Sequence, residues 1–114
     1  MQCLNLTSNT QVNNLVVLSD KNCGYCKIAL SELQFFRNNN KIKINVIEFG
    51  NGDTEKLIKT YPEYNFIDPN KCNYNGKKPD FFPQFLLINK SNKLVWSKKG
   101  WFAQNLKDIE KELK

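Results

Sequence analysis

The order of apolar and polar segments predicts an α/β fold, β-α-β-α-β-β-α, with a central mixed sheet flanked by helices. Three observations carry this. A β-branched apolar run, Leu15 to Leu18, is followed by a periodic helical stretch and then by a second strand-like run, the pattern of a βαβ crossover. Two further apolar runs flank Lys90-Ser91-Asn92, the signature of a hairpin. An amphipathic pattern then closes the chain.

Taken in order, Asn14 to Ser19 has no polar residue at its centre and reads as a strand buried on both faces. Asp20 to Cys26 is turn-rich and leads into a helix, where Cys26, Ala29, Leu30, Leu33 and Phe36 fall on one stripe ended by Arg37-Asn38-Asn39-Asn40. Lys43 to Phe49 reads as the second strand, with Gly50-Asn51-Gly52-Asp53 as its turn. A short helix starts at Asp53 or Thr54 and closes before Pro62. The stretch at about 63–80, rich in Asn, Pro and aromatics, reads as an irregular insertion. Strands follow at Gln84 to Asn89 and Lys93 to Ser97, and Phe102, Leu106, Ile109 and Leu113 mark the core side of the last helix. With 114 residues and no internal repeat, residues 1–114 are expected to form one domain.

Composition excludes whole classes of chemistry. With His 0 there is no Cys/His or Ser/His pair and no imidazole-ligated metal. No apolar run approaches the length of a membrane span, and the first residues lack the layout of a secretory signal, so a cytoplasmic protein is the expectation. Net charge is +6, but the lysines are scattered and Arg37 is the only arginine, which fits a solvated surface better than a nucleic-acid interface. The wealth of Asn and Lys fits AT-rich coding DNA, as in some viruses or parasites; a viral chain would work in the host cytoplasm.

Cys23-Gly24-Tyr25-Cys26 lies where a buried strand hands over to a helix. A thiolate is the nucleophile of disulfide exchange, and unpaired N–H groups of a first helical turn stabilise one. Lys21 and Lys27 add to that field. On this reading Cys23 attacks and Cys26 resolves. Two other readings stay open. Cys3 and Cys72 would complete a four-cysteine zinc site, and the pair could also be inert thiols in a binding module.

From Leu15 to Leu113 the chain resembles the thioredoxin-like superfamily. Besides the C-x-x-C pair, the resemblance rests on Phe82-Pro83-Gln84-Phe85-Leu86-Leu87-Ile88, on Gly100 after the hairpin, and on the closing helix. It implies a thiol:disulfide oxidoreductase with no cofactor and no metal. It also implies a cis Phe82–Pro83 bond whose backbone holds a substrate strand, and a glycine, Gly100, beside the groove. Gly24, Tyr25, Lys27 and Pro83 would support the active pair. Phe81, Phe82, Tyr25 and Trp101 would form an apolar rim that grips protein dithiol or disulfide substrates. A monomer exchanging electrons with such partners, without membrane or nucleic acid, is the expectation. The sequence departs from thioredoxins proper: Asn22 and Tyr25 replace Trp and Pro, and Val17 stands where the family buries an acid six residues before the attacking cysteine. The Cys26 proton must then go to water, to the leaving thiolate, or to Glu48, a strand-end carboxylate of a kind that is usually solvated.

Overall fold

The computed structural model describes residues 12–50, 54–71 and 79–114. Cys3, Cys72 and residues 51–53 of the turn expected at Gly50-Asn51-Gly52-Asp53 lie outside them. Five strands form one mixed sheet in the order β3-β2-β1-β4-β5: β1 (Asn13–Ser19), β2 (Ile42–Glu48), β3 (Asn65–Ile67), β4 (Gln84–Ile88) and β5 (Leu94–Lys99). β1 pairs parallel with β2 and antiparallel with β4; β2 and β3 are parallel, and β4 and β5 antiparallel. The helices are α1 (Gly24–Glu32), α2 (Thr54–Thr60) and α3 (Gln104–Glu112).

The uninterrupted apolar run of β1 puts it at the centre of the sheet, where both faces are dry. Leu15 and Val17 join a core with Ala29, Leu30 and Leu33 from α1 and its extension, Val46, Phe85, and Ile109 of α3. Val16 and Leu18 face the other way with Ile47, Ile67 and Ile88. Full burial of such side chains contributes about 1.5–3 kcal/mol each, which makes β1 the anchor of the fold.

The expected α1 stripe is buried as a whole, but the α-helix stops at Glu32 and a 3₁₀ turn covers Leu33–Phe36. That tighter turn eclipses residues three apart, so Leu33 and Phe36 both reach the core.

Two sequence expectations are corrected. Within the stretch read as irregular, Asn65–Ile67 forms an edge strand, because β2 offers it a parallel partner that local propensity does not reveal. Phe102 is not the first core residue of the last helix. It precedes α3 and is 53% exposed, while Trp101 is buried with Asn105, Ile109 and Leu113. Among the described residues no helix is long and apolar enough to cross a membrane.

Candidate active site

β1 ends at Ser19 and the chain reverses through Asp20 to Cys23. The Asn22 N–H donates to Asp20 Oδ1 at 2.9 Å and the Cys23 N–H to Asp20 O at 3.0 Å, an Asp-initiated turn. This turn is pressed against the end of β2. A Cβ on Gly50 would stand 2.9 Å from the Lys21 backbone N and 2.6 Å from Lys21 Cγ, so only glycine permits the approach.

Cys23 is the N-cap of α1, with extended backbone (φ −100, ψ 110), and its Sγ accepts the Cys26 N–H at 3.1 Å. The sulfur takes the place that a Ser or Asp oxygen takes in other caps. No acidic side chain occupies the first turn to oppose an anion there. Cys23 and Cys26 are joined as a disulfide, their Cα atoms 5.2 Å apart. The two sulfurs differ in access. Cys26, on the core side of α1, is 1% exposed, and Cys23 is half-buried.

The Phe82–Pro83 peptide is cis. β1 and β4 pair as far as Leu18↔Gln84, so Pro83 lies one step beyond the ladder, at the end of the sheet from which Asp20 to Cys23 departs. The Gly100 N–H donates to Pro83 O at 2.8 Å, and Asn105 Nδ2 donates to Gly100 O at 3.0 Å, which ties the loop after β5 to this end. Gly100 has φ +95, and a Cβ there would meet the Phe102 ring at 3.0 Å.

The expected rim is only partly assembled. Tyr25 and Phe81 are exposed. Phe82 is half-buried on the opposite face of the sheet from α1, its ring 5.5 Å from Phe49. Trp101, 9% exposed, packs on Phe85 with ring centroids 5.5 Å apart, and its Nε1–H donates to Glu32 Oε2 at 3.3 Å. Gly100 turns the backbone so that the indole goes inward and Phe102 outward. Lys27 is exposed, and a Cβ on Gly24 would meet nothing within 4 Å, so no steric need for glycine exists there.

Glu48 contradicts the rule that strand-end carboxylates are solvated. It is 5% exposed, pairs in register with Ser19, and among the described residues its Oε1 has no hydrogen-bond partner. Burial raises its carboxyl above the usual carboxylate range. A hydrogen bond with Ser19 opposes this, the Asp20 charge adds to it, and the Gly50 backbone opposes it again. Glu48 shares the sheet face of Val46, on the side covered by α1. It lines a cleft of about 450 Å³ with Asp20, Lys21, Lys27, Leu30 and Tyr61. Lys27 and Leu30 are the residue after Cys26 and the residue one turn on. The inward parity of Glu48 follows the even-numbered apolar positions Ile42, Ile44 and Val46, a signal already present in the sequence.

No family model matches the sequence. No curated protein matches it either. Its structure is similar to that of a thio-disulfide isomerase from Thermus thermophilus, with a TM-score of 0.70 and 17% identity over 95% of this chain and 82% of that one. It is similar to StoA from Bacillus subtilis (TM-score 0.66, 19% identity, 90% of this chain and 84% of that one). It also resembles the exposed lipoprotein thioredoxin of Streptococcus pneumoniae (TM-score 0.63, 16% identity, 91% and 84%). The fold is thioredoxin-like.

Proposed function

We propose that the chain is a thiol:disulfide oxidoreductase acting on protein substrates through Cys23 and Cys26, as a single domain and a monomer in the cytoplasm of the producing or host cell. The observation that carries this is the asymmetry of the pair: a half-buried sulfur at a helix N-cap, accepting an N–H, bonded to a fully buried one. In the reducing direction the Cys23 thiolate attacks a substrate disulfide. A Cys23–substrate disulfide forms and one substrate thiolate leaves. The Cys26 thiolate then attacks Cys23 Sγ, the mixed disulfide breaks, the second substrate thiolate leaves, and the Cys23–Cys26 disulfide is restored. Two electrons pass from the pair to the substrate. The reverse sequence oxidises a dithiol, and the partner's potential sets the direction.

Resolution requires that Cys26, away from solvent, lose a proton. In this reading Glu48 takes it and the cleft beside it passes it to water. Support comes from the burial of Glu48 on the α1 side of the sheet and from its raised proton affinity, which narrows the gap to a thiol. The cis Phe82–Pro83 segment and Gly100 lie at the same end of the sheet and would hold the partner chain; Tyr25 and Phe81 would touch it.

The test is paired substitution. Cys23→Ser abolishes reduction of insulin disulfides, whereas Cys26→Ser traps the partner as a mixed disulfide in cell extract. The reduced protein's Cys23 reacts with iodoacetamide faster at neutral pH than free cysteine does. A rate no faster than free cysteine overturns the enzyme reading and leaves a binding module.

A further inference from the structure

The side of α1 turned away from the sheet carries apolar side chains where a solvated face is expected. Tyr25, Ile28 and Glu32 stand at i, i+3 and i+7, and the 3₁₀ turn stacks Phe35 below Glu32. Tyr25, Ile28 and Phe35 are 66%, 45% and 62% exposed. Glu32, the acid within this stripe, is engaged by Trp101 Nε1–H, which also brings the loop bearing Phe102 beside α1. Lys98 Nζ lies 5.1 Å over the Phe102 ring.

Isolated exposed apolar residues are ordinary, but a contiguous patch rimmed by charge marks an interaction surface. This stripe begins between the two reactive cysteines. It runs about 15 Å down the helix at about 1.5 Å per residue, the span of about five residues of extended chain.

We propose that the stripe is a docking track for a protein segment that carries the reactive disulfide at one end and, about five residues on, apolar side chains flanked by Asp or Glu. The inference rests on the function proposed above and adds the substrate class. Charge selects the occupant. Glu32 keeps its charge but accepts the Trp101 Nε1–H, and Asp80 pairs with Lys99 at 3.4 Å, so both acids have a partner. Lys98 stands over Phe102 and Arg37 follows the stripe at its far end. A second copy carries the same net charge of +6 and is repelled as a whole, whereas an acidic segment is attracted and meets Lys98 and Arg37 at the rim.

The test uses the reduced 114-residue chain and three oxidants. One is a synthetic peptide disulfide with Leu and Phe four and five residues past its cysteine and Asp beside them. The second is the same peptide with Lys in place of Asp. The third is 5,5′-dithiobis(2-nitrobenzoate), too small to reach the stripe. Second-order rate constants are compared as the peptide-to-reagent ratio, which cancels changes in thiol reactivity. The acidic peptide should react about tenfold faster than the basic one, an advantage lost at high salt. Ile28→Ser with Phe35→Ser should lower the acidic-peptide ratio about fivefold or more. Equal rates for the two peptides, or a ratio unmoved by the substitutions, overturn the proposal. So does a dimer in solution, or binding to anionic phospholipid vesicles, that the same substitutions abolish. If the protein reacts with all three oxidants no faster than free cysteine, the oxidoreductase reading itself has failed, a distinct result.

Discussion

The turn that presents Cys23 is held by a contact that one methyl group can break, and the chain contains its own control. In Gly50→Ala the new Cβ would lie 2.9 Å from the Lys21 backbone N, against ordinary contacts of 3.4 Å or more. Lys21 Cγ, at 2.6 Å, can swing aside, but the backbone cannot. The turn must withdraw by about half an ångström, an overpacking that costs about 1–3 kcal/mol. In Gly24→Ala the Cβ meets nothing within 4 Å, and alanine gains over glycine at a helical position by about 0.5 kcal/mol. The same substitution therefore has opposite signs 26 residues apart in sequence. Urea unfolding of the oxidised proteins measures both, and each kcal/mol moves the thermal midpoint by about 4–8 °C at this size. Because Cys23 N–H is bonded to Asp20 O at 3.0 Å within the displaced turn, Gly50→Ala should also slow alkylation of the reduced Cys23. Equal midpoints for the two variants, with unchanged alkylation, would refute the claim that the β2 end positions the turn.

Glu48 supplies a pH signature. Its proton affinity is raised in the folded state, so its contribution to stability is complete below the unfolded pKa and is lost as pH rises through the folded pKa. Glu48→Gln, neutral throughout, should gain stability relative to the parent as pH rises above the ordinary glutamate value of about 4.3, and should slow release of the mixed disulfide. The charged and titratable neighbours lining its cleft, Asp20, Lys21, Lys27, Lys56 and Tyr61, are unchanged by it. Parallel stability curves across that range would remove Glu48 from the mechanism. The buried Tyr64 hydroxyl donates to Leu30 O at 2.6 Å, tying the approach to β3 onto α1. Tyr64→Phe should cost about 1–2 kcal/mol in urea unfolding, and a cost near zero would show that Leu30 O finds another donor.

Where a rule of local physics decides an element alone, the sequence is readable. The run Leu15 to Leu18 has no polar face, so it could only be a central strand, and the stripe from Cys26 to Phe36 could only turn toward a core. The Cys23 to Cys26 pair is legible for the same reason, since its meaning lies in where a strand meets a helix. The failures share a cause, which is that a neighbour distant in sequence makes the choice. Three residues at Asn65–Ile67 become a strand because the edge of β2 is open to them. Trp101 takes the core position that helical phase assigned to Phe102, because the backbone before α3 is set by Gly100 at φ +95 and not by the helix. Glu48 is buried because residues of α1 and α2 close over the end of β2.

That last placement depends on register, and register depends on polar groups at the other face of the sheet. Asn45 is fully buried; its Nδ2 donates to Asn14 Oδ1 at 3.1 Å, and its Oδ1 accepts from Asn65 Nδ2 at 2.8 Å, so three strands are laced together across the layer. Apolar contacts alone would tolerate some sliding of β2 on β1, since Ile, Val and Leu fill either side of both strands. Buried amides would not, because a slip of one residue strands each of them in the core without a partner, at about 1–3 kcal/mol apiece. The same slip would turn Glu48 away from α1 and detach Gly50 from Lys21. The asparagine ladder thus specifies from one face the alignment that brings a carboxylate and a close backbone contact to the cysteine turn on the other. On this account Asn45→Leu, although more apolar, weakens the alignment of β2 on β1 and with it the setting of Cys23.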